Sequence, residues 1–277
     1  MSARTTLLLA PFLAALLPAC DAGTKEKDAG NPGPQLVFVQ PRMDHVYKHD
    51  PAVPEANRAA KWEKVDILLD LKNYVIGDSK KGADGAYPAG GKQHVHLILD
   101  NGEYQAIYDT STSFVLKDEM KLSPGTHVLR AFPSAGPADA KGARWHESRK
   151  NDGAFTWVRF HVNEKGGDLA DFDGSKPLLT YSRPKGSYSL ADADKALLFP
   201  LMLDFYVSGC TLSKGGNHVH ASVDGKEFDT DEWKAQTIAG EMAAGEHKIV
   251  IELLDAKGKP VGGPFNKTER TIKVTEK

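Results

Sequence analysis

The chain has 277 residues, with 35 Lys and Arg against 37 Asp and Glu, a formal net charge of −2. No block of basic residues occurs anywhere, which argues against nucleic acid as a partner. Once the N-terminal leader and the polar stretch after it are set aside, about 240 residues remain, enough for two ordinary domains.

Residues 1–19 read as a targeting segment. Arg4 supplies the positive start, and Thr5 to Leu17 form an apolar stretch, interrupted by Pro11, too short to span a bilayer as a mature helix. The stretch ends in Leu17-Pro18-Ala19-Cys20, which resembles the lipobox of bacterial lipoproteins, although Pro18 departs from the usual small residue. That resemblance implies diacylation of the Cys20 thiol, with Cys20 as the first mature residue. Several acyl chains on one residue give stable anchoring, because each buried methylene adds about 0.8 kcal/mol. The implied location is the bacterial cell envelope, lipid-anchored at the periplasmic side of a membrane or at the cell surface. Asp21 resembles an inner-membrane retention signal of some bacteria. Ordinary secretion with cleavage after a small residue is the alternative. Loss of Arg4 with the leader leaves 34 basic against 37 acidic side chains, net −3. With Cys20 lipidated, Cys210 is the one remaining thiol; no intramolecular disulfide can form, and a buried, inert cysteine is expected.

Residues 20–34 carry no large apolar side chain after the cysteine and are expected to be a flexible tether. Two copies of one unit follow, over 35–165 and 176–277. Leu36-Val37-Phe38-Val39 then Pro41 is matched by Leu178-Leu179-Thr180-Tyr181 then Pro184. Val65, Ile67, Leu69 and Leu71 alternate along one face, as do Leu201, Leu203, Phe205 and Val207, a period of two that marks strands. Asp70 and Asp204 are taken as equivalent outward positions on them. Next come His94-Val95-His96-Leu-Ile-Leu-Asp100 and His218-Val219-His220-Ala-Ser-Val-Asp224. Each leads to a Gly-x-His strand start, Gly125-Thr126-His127 and Gly245-Glu246-His247, and the copies close with Thr156–Val162 and Arg270–Val274. His94 to His218 is 124 positions and His127 to His247 is 120, as a duplication with small insertions requires. The first copy carries insertions at Lys80–Gly91 and Ala135–Gly153, the second including Trp145-His146-Glu147-Ser148, at strand connections where specificity usually resides. Single helical turns are expected at Asp192–Leu197 and Asp229–Ala239.

Many short strands at about 100 residues per copy predict an all-β chain of two tandem immunoglobulin-like or fibronectin III-like antiparallel sandwiches. The Pro-Gly-x-His-x-Leu and His-x-His strand elements also resemble bacterial secreted domains of unknown function. That resemblance implies an Ig-like fold, with copper binding suspected for some of those domains.

In a strand, residues i and i+2 share one face about 6.5–7 Å apart, so two imidazoles can converge on one ion at roughly 2.0–2.1 Å each. His94 with His96, and His218 with His220, are therefore candidate ligands for copper or zinc. Val95, Leu97 and Leu99 hold the core phase of their strand, as do Val219, Ala221 and Val223 of theirs, so both histidine pairs should face outward. His127 and His247 share the core phase and should be hydrogen-bonded to a neighbouring loop, apart from the pairs. In the first copy the outward neighbours are Arg130, Trp157, Arg159 and His161. A guanidinium disfavours a cation, so Arg130, Trp157 and His161 suit an anionic or sugar-like ligand better. In the second copy His218, His220 and Glu252 form the more plausible metal set, with Lys248 as a competitor. Four imidazoles could also meet if the two pairs faced each other.

No nucleophile elbow, His-Glu-x-x-His helix or phosphate-binding glycine loop occurs. Ser148 beside His146 and Glu147 carries little weight, because triads assemble in space. Asn266-Lys267-Thr268 matches a glycosylation acceptor that a bacterial lipoprotein has little reason to use. The expectation is thus a non-enzymatic, membrane-anchored binding module, with copper or zinc as the metal. The alternative is a structural or adhesion module that recognises an envelope protein or a glycan, its histidines incidental.

Overall fold

The computed structural model describes residues 33–48, 65–74, 76, 93–116, 122–135, 147–148, 152–190, 201–238 and 242–276. The leader, Cys20, the tether as far as Pro32, Asp192–Leu197 and most of the two insertions lie outside these residues.

The first module contains β1 (Gln35–Gln40), β2 (His45–Tyr47), β3 (Asp66–Lys72), β4 (His94–Leu99), β5 (Gln105–Ile107), β6 (Phe114–Val115), β7 (Gly125–Ala135), β8 (Glu147–Ser148) and β9 (Thr156–Val162). The second contains β10 (Leu178–Arg183), β11 (Ser187–Ser189), β12 (Leu201–Ser208), β13 (His218–Val223), β14 (Lys226–Thr230), β15 (Gln236–Ile238), β16 (Gly245–Leu254) and β17 (Lys267–Thr275). Each module packs a small sheet, β1-β3-β6 or β10-β12-β15, on a large one, β2-β9-β7-β4-β5 or β11-β17-β16-β13-β14. In both, the second strand runs parallel to the last. This strand order is that of a fibronectin III-like sandwich, and the chain is two of them in tandem. Where a helical turn was expected at Asp229–Ala239, β14 and β15 are formed instead. Asp224 and Gly225 both sit at positive φ, as a two-residue type I′ hairpin requires, and that turn sends the chain back as β14.

The expected alternation builds the two cores. Ile67, Leu69, Val95, Leu97, Leu129, Val158 and Phe160 fill the first; Leu203, Phe205, Val219, Ala221, Ile249, Ile251 and Leu253 fill the second. The registers also correct one pairing. Val37 faces Asp70 while Thr180 faces Tyr206, and Gln40 faces Leu68 while Arg183 faces Asp204. Asp70 therefore corresponds to Tyr206, and Asp204 to Leu68.

The Gly-x-His histidines each close a hairpin onto a neighbouring loop. Asp100 and Asp224, both at positive φ, accept the backbone N–H of Val128 and Lys248 through Oδ1 at 2.9 Å. Their Oδ2 atoms accept from Nδ1 of His127 and His247 at 2.7 Å. The Nε2 atoms donate to the carbonyls of Ser123 and Ala243 at 2.8 Å. A carboxylate and a carbonyl can only accept, so each ring must carry two protons to make both bonds. Burial opposes the charge on each ring, but the carboxylate and carbonyl outweigh it and hold both pKa values above the ordinary histidine value. Gly125 and Gly245 open these strands at φ 124° and 144°, where a side chain is rarely accommodated.

The modules are not beads on a string. The outer face of the first large sheet packs on the outer face of the second small sheet. Phe132 stacks on Tyr206 with ring centroids 4.6 Å apart, and Ile98, Tyr104, Phe155 and Trp233 complete that cluster. Arg130, 1 % exposed, donates to Thr180 Oγ1 at 2.8 Å and to the Asp100 carbonyl at 2.5 Å, with its guanidinium 3.8 Å above the Phe265 ring. Burial pulls its pKa down to about 9, so it stays charged at neutral pH. Arg270 and Thr268 of the second module hold the Asn101 turn of the first. At the other end Arg183 and Lys185 reach the hydroxyl and the carbonyl of Tyr104 at 2.6 and 2.7 Å.

Two outcomes follow. Removing the Tyr206 ring, as Tyr206→Ala, should cost about 3–5 kcal/mol, the range for a buried aromatic. In calorimetry the single transition expected of the fused pair should split into two. Wild type melting as two independent modules would contradict the shared interface. For the histidine clamps the folded pKa is raised, so their stabilisation is complete below about pH 6.5, the unfolded value, and fades as pH rises through the raised folded value. Asp100→Asn keeps the backbone bond but loses the carboxylate. It should cost on the order of 1 kcal/mol at pH 6 after solvent screening, with the gap narrowing towards pH 9 in denaturant titrations.

Candidate functional site

The first histidine pair does not face solvent. Every residue of β4 is buried, and His94 and His96 are 0 % exposed, because module two covers the outward side of the sheet. Their Nε2 atoms lie 3.0 Å apart, so one ring's N–H meets the other's lone pair. His96 also stacks on Tyr104, with centroids 3.6 Å apart, and its Nδ1 is 3.2 Å from Ser182 Oγ of module two. The phase argument held for the strand, but the outward side of this strand is an interface. The four-imidazole arrangement also fails: the second pair lies on the large sheet of module two, away from the small sheet that meets module one.

The expected ligand face of the first module is covered as well. Arg130 is spent on the interface. Trp157 lies under the chain between the modules: a Cβ built on Gly174 would stand 2.7 Å from its ring, and Phe172 meets it edge-on at 5.2 Å. The ring face under Gly174 is closed to a stacking sugar while that segment is in place. His161 is buried between Thr126 and the exposed Asp44, its Nδ1 2.9 Å from Thr126 Oγ1 and its Nε2 3.2 Å from Asp44. Burial lowers the His161 pKa despite Asp44, while Arg159, bonded to Asp44 at 2.5 and 2.8 Å, depresses that carboxylate. Hydroxyl, imidazole and carboxylate stand in sequence, yet Thr126 is 7 % exposed and accepts the Gly166 N–H. The row fastens β2 to β9.

The second pair keeps the expected exposure. In β13 core and open positions alternate, and His218 and His220 are half-buried on the open face. His220 lies directly between Asp229 on β14 and Glu252 on β16, and Glu252 is in turn paired with Lys267 on β17. The sequence reading expected Glu252 but missed Asp229 and Lys267, having taken the Asp229 segment for a turn of helix. The Asp224-Gly225 dipeptide ahead of it was the hairpin signal that would have found it. The competing lysine also differs: Lys267 Nζ is 3.1 Å from Glu252, whereas Lys248 pairs with Glu269 at 2.8 Å.

Ring orientation is the chemically informative feature. His220 Nδ1 donates to Asp229 Oδ1 at 2.8 Å, and His218 Nδ1 donates to the Gly216 carbonyl at 3.1 Å. Among the described residues neither Nε2 makes a hydrogen bond, so each neutral ring keeps its Nε2 lone pair available. No three His, Cys, Asp or Glu side chains among the described residues are gathered as a ready metal-ligand set. No described helix is long and apolar enough to cross a membrane. Asn266 of the apparent glycosylation acceptor is buried; its side chain accepts the Leu179 N–H and donates to Pro177 and Gly262.

No family model matches the chain, and no curated protein matches it. Among solved structures it is similar to the fibronectin(III)-like modules of Clostridium thermocellum CbhA, at 12% identity over 87% of this chain and 95% of that chain, with a TM-score of 0.25. It is also similar to SGBP-B of the Bacteroides ovatus mixed-linkage glucan utilization locus, at 15% identity over 88% of this chain and 48% of that one, with a TM-score of 0.21. A third likeness is to the FN1-FN3 domains of chicken CNTN1, at 9% identity over 88% and 66% of the two chains, with a TM-score of 0.22. The fold rests on the strand order described above rather than on these overlaps.

Proposed function

We propose that the protein is a non-enzymatic, lipid-anchored binding module of the bacterial cell envelope that holds a copper ion on the open face of its second sandwich. One observation carries the reading: both rings of the His218–His220 pair donate through Nδ1 to a carboxylate or a carbonyl, leaving Nε2 as a lone-pair donor. Metal-binding histidines are held in this way, because the outer bond fixes the tautomer, orients the ring and raises its basicity. Two neutral imidazoles on one strand face supply a bidentate nitrogen site with open positions. Copper(II) is held by such sites more tightly than zinc in the general order of divalent affinities. The His94–His96 pair is not part of the proposal, because its nitrogens are engaged with one another and sealed by module two.

Copper(II) chloride titrated into the purified chain should bind at about one equivalent, with nitrogen hyperfine structure in its paramagnetic resonance spectrum. His218→Ala with His220→Ala should abolish both signals without lowering the melting temperature. Absence of copper binding in wild type near neutral pH would overturn the metal reading, leaving the open face as a surface for a protein or glycan partner.

For the anchor, Cys20→Ser expressed in a bacterial host should move the protein from the membrane to the soluble fraction. Retention of that variant in the membrane would remove the lipid from the proposal.

A further inference from the structure

The two small sheets differ in what their outer faces meet. In the second module that face is pressed on module one, where Thr180 of β10 bonds Arg130 and Ser182 lies 3.2 Å from His96. The registers put Val37 where Thr180 stands and Val39 where Ser182 stands, and in the first module both are exposed, at 51 % and 45 %. Val115 on β6, 39 % exposed, belongs to the same face, because its neighbour Phe114 packs on the core. Three of the six exposed large apolar side chains among the described residues thus stand on one three-stranded face, with half-buried Leu68 on its central strand.

Charge on that face is arranged by position. Ile67 and Leu69 of β3 enter the core, so Asp66, Leu68, Asp70 and Lys72 form the outward row, acidic at its first end and basic at its last. We infer that this face docks a second copy of the chain about a two-fold axis, with β3 antiparallel to β3 of the other copy. Laid antiparallel over its full length, the row brings Asp66 opposite Lys72 of the second copy, and the symmetry makes that contact twice. A parallel overlay would set like charge on like. Lys72 is 3.3 Å from Asp70 of its own strand and 64% exposed, so it can serve both carboxylates. Valines of both copies fill the layer between the sheets, which face-to-face packing sets at about 10 Å. A two-fold contact uses the same patch on both copies and closes at two.

Sedimentation equilibrium of the purified chain should show a reversible dimer with a dissociation constant of about 10–100 micromolar, because three short strands give an interface at the small end of the range. Val37→Asp puts a charge into the apolar layer twice per dimer and should weaken association at least about tenfold. Asp66→Lys alone sets lysine against Lys72 at both ends of the row and should weaken it about tenfold. Asp66→Lys combined with Lys72→Asp reverses both partners and should restore association to within about twofold of wild type. That restoration also separates lost docking from lost folding in the single variant. Wild type that stays monomeric at about 500 micromolar overturns the inference. A dimer indifferent to Val37→Asp overturns it too, because another face would then be in use. So does a double charge reversal that leaves the dimer weakened, since the antiparallel two-fold requires rescue.

Discussion

The structure depends on one burial: the outer face of the first large sheet against the outer face of the second small sheet. A fibronectin III-like sandwich normally needs only its inner faces dry. Here β4 is dry on both, so its sequence must satisfy two environments at once. Apolar residues meet this on one side. On the other, Ile98 and Phe132 do, together with a histidine pair whose polar atoms are engaged inside the contact. Arg130 shows the constraint at its strongest, since a buried guanidinium is tolerated only where acceptors and an aromatic face surround it.

The duplicated motif thereby has two fates. Sequence similarity between His-Val-His at 94–96 and at 218–220 suggested one role; packing assigns two. The first pair became interface, the second stayed open. What the copies truly share is the clamp of Gly-x-His, aspartate and carbonyl, repeated atom for atom in both modules. The recurrence that suggested metal chemistry is more strongly a recurrence of hairpin fastening.

Much of the fold was legible because period two depends only on the strand and its core. It placed the main strands, the inward phase of His127 and His247, and the open setting of His218 and His220. Strand phase distinguishes core from not-core, and it has no means of separating solvent from a neighbouring module. The signal was nonetheless present. Ile98, Phe132 and Tyr206 are large apolar or aromatic residues in the outward phase, where Ser222, Glu252 and Asp70 stand in the opposite copies. Covering of Trp157 depends on Gly174, and no local pattern announces that a residue is small because a ring lies beneath it. Lys267 was missed for another reason: its cross-strand neighbour is set by the register of β16 on β17, which a single strand does not encode.

That same register has a bearing on assembly. The Phe132–Tyr206 stack joins the two modules within one chain, and its counterparts on the exposed faces are Glu252 and Asp70. A second chain docking head to tail in the same geometry would bring those two carboxylates together where an aromatic pair should be. Tandem duplication creates a heterologous contact that could in principle repeat into a fibre. Glu252, paired with Lys267, and Asp70, paired with Lys72, leave neither of those faces the aromatic ring that the contact within the chain uses.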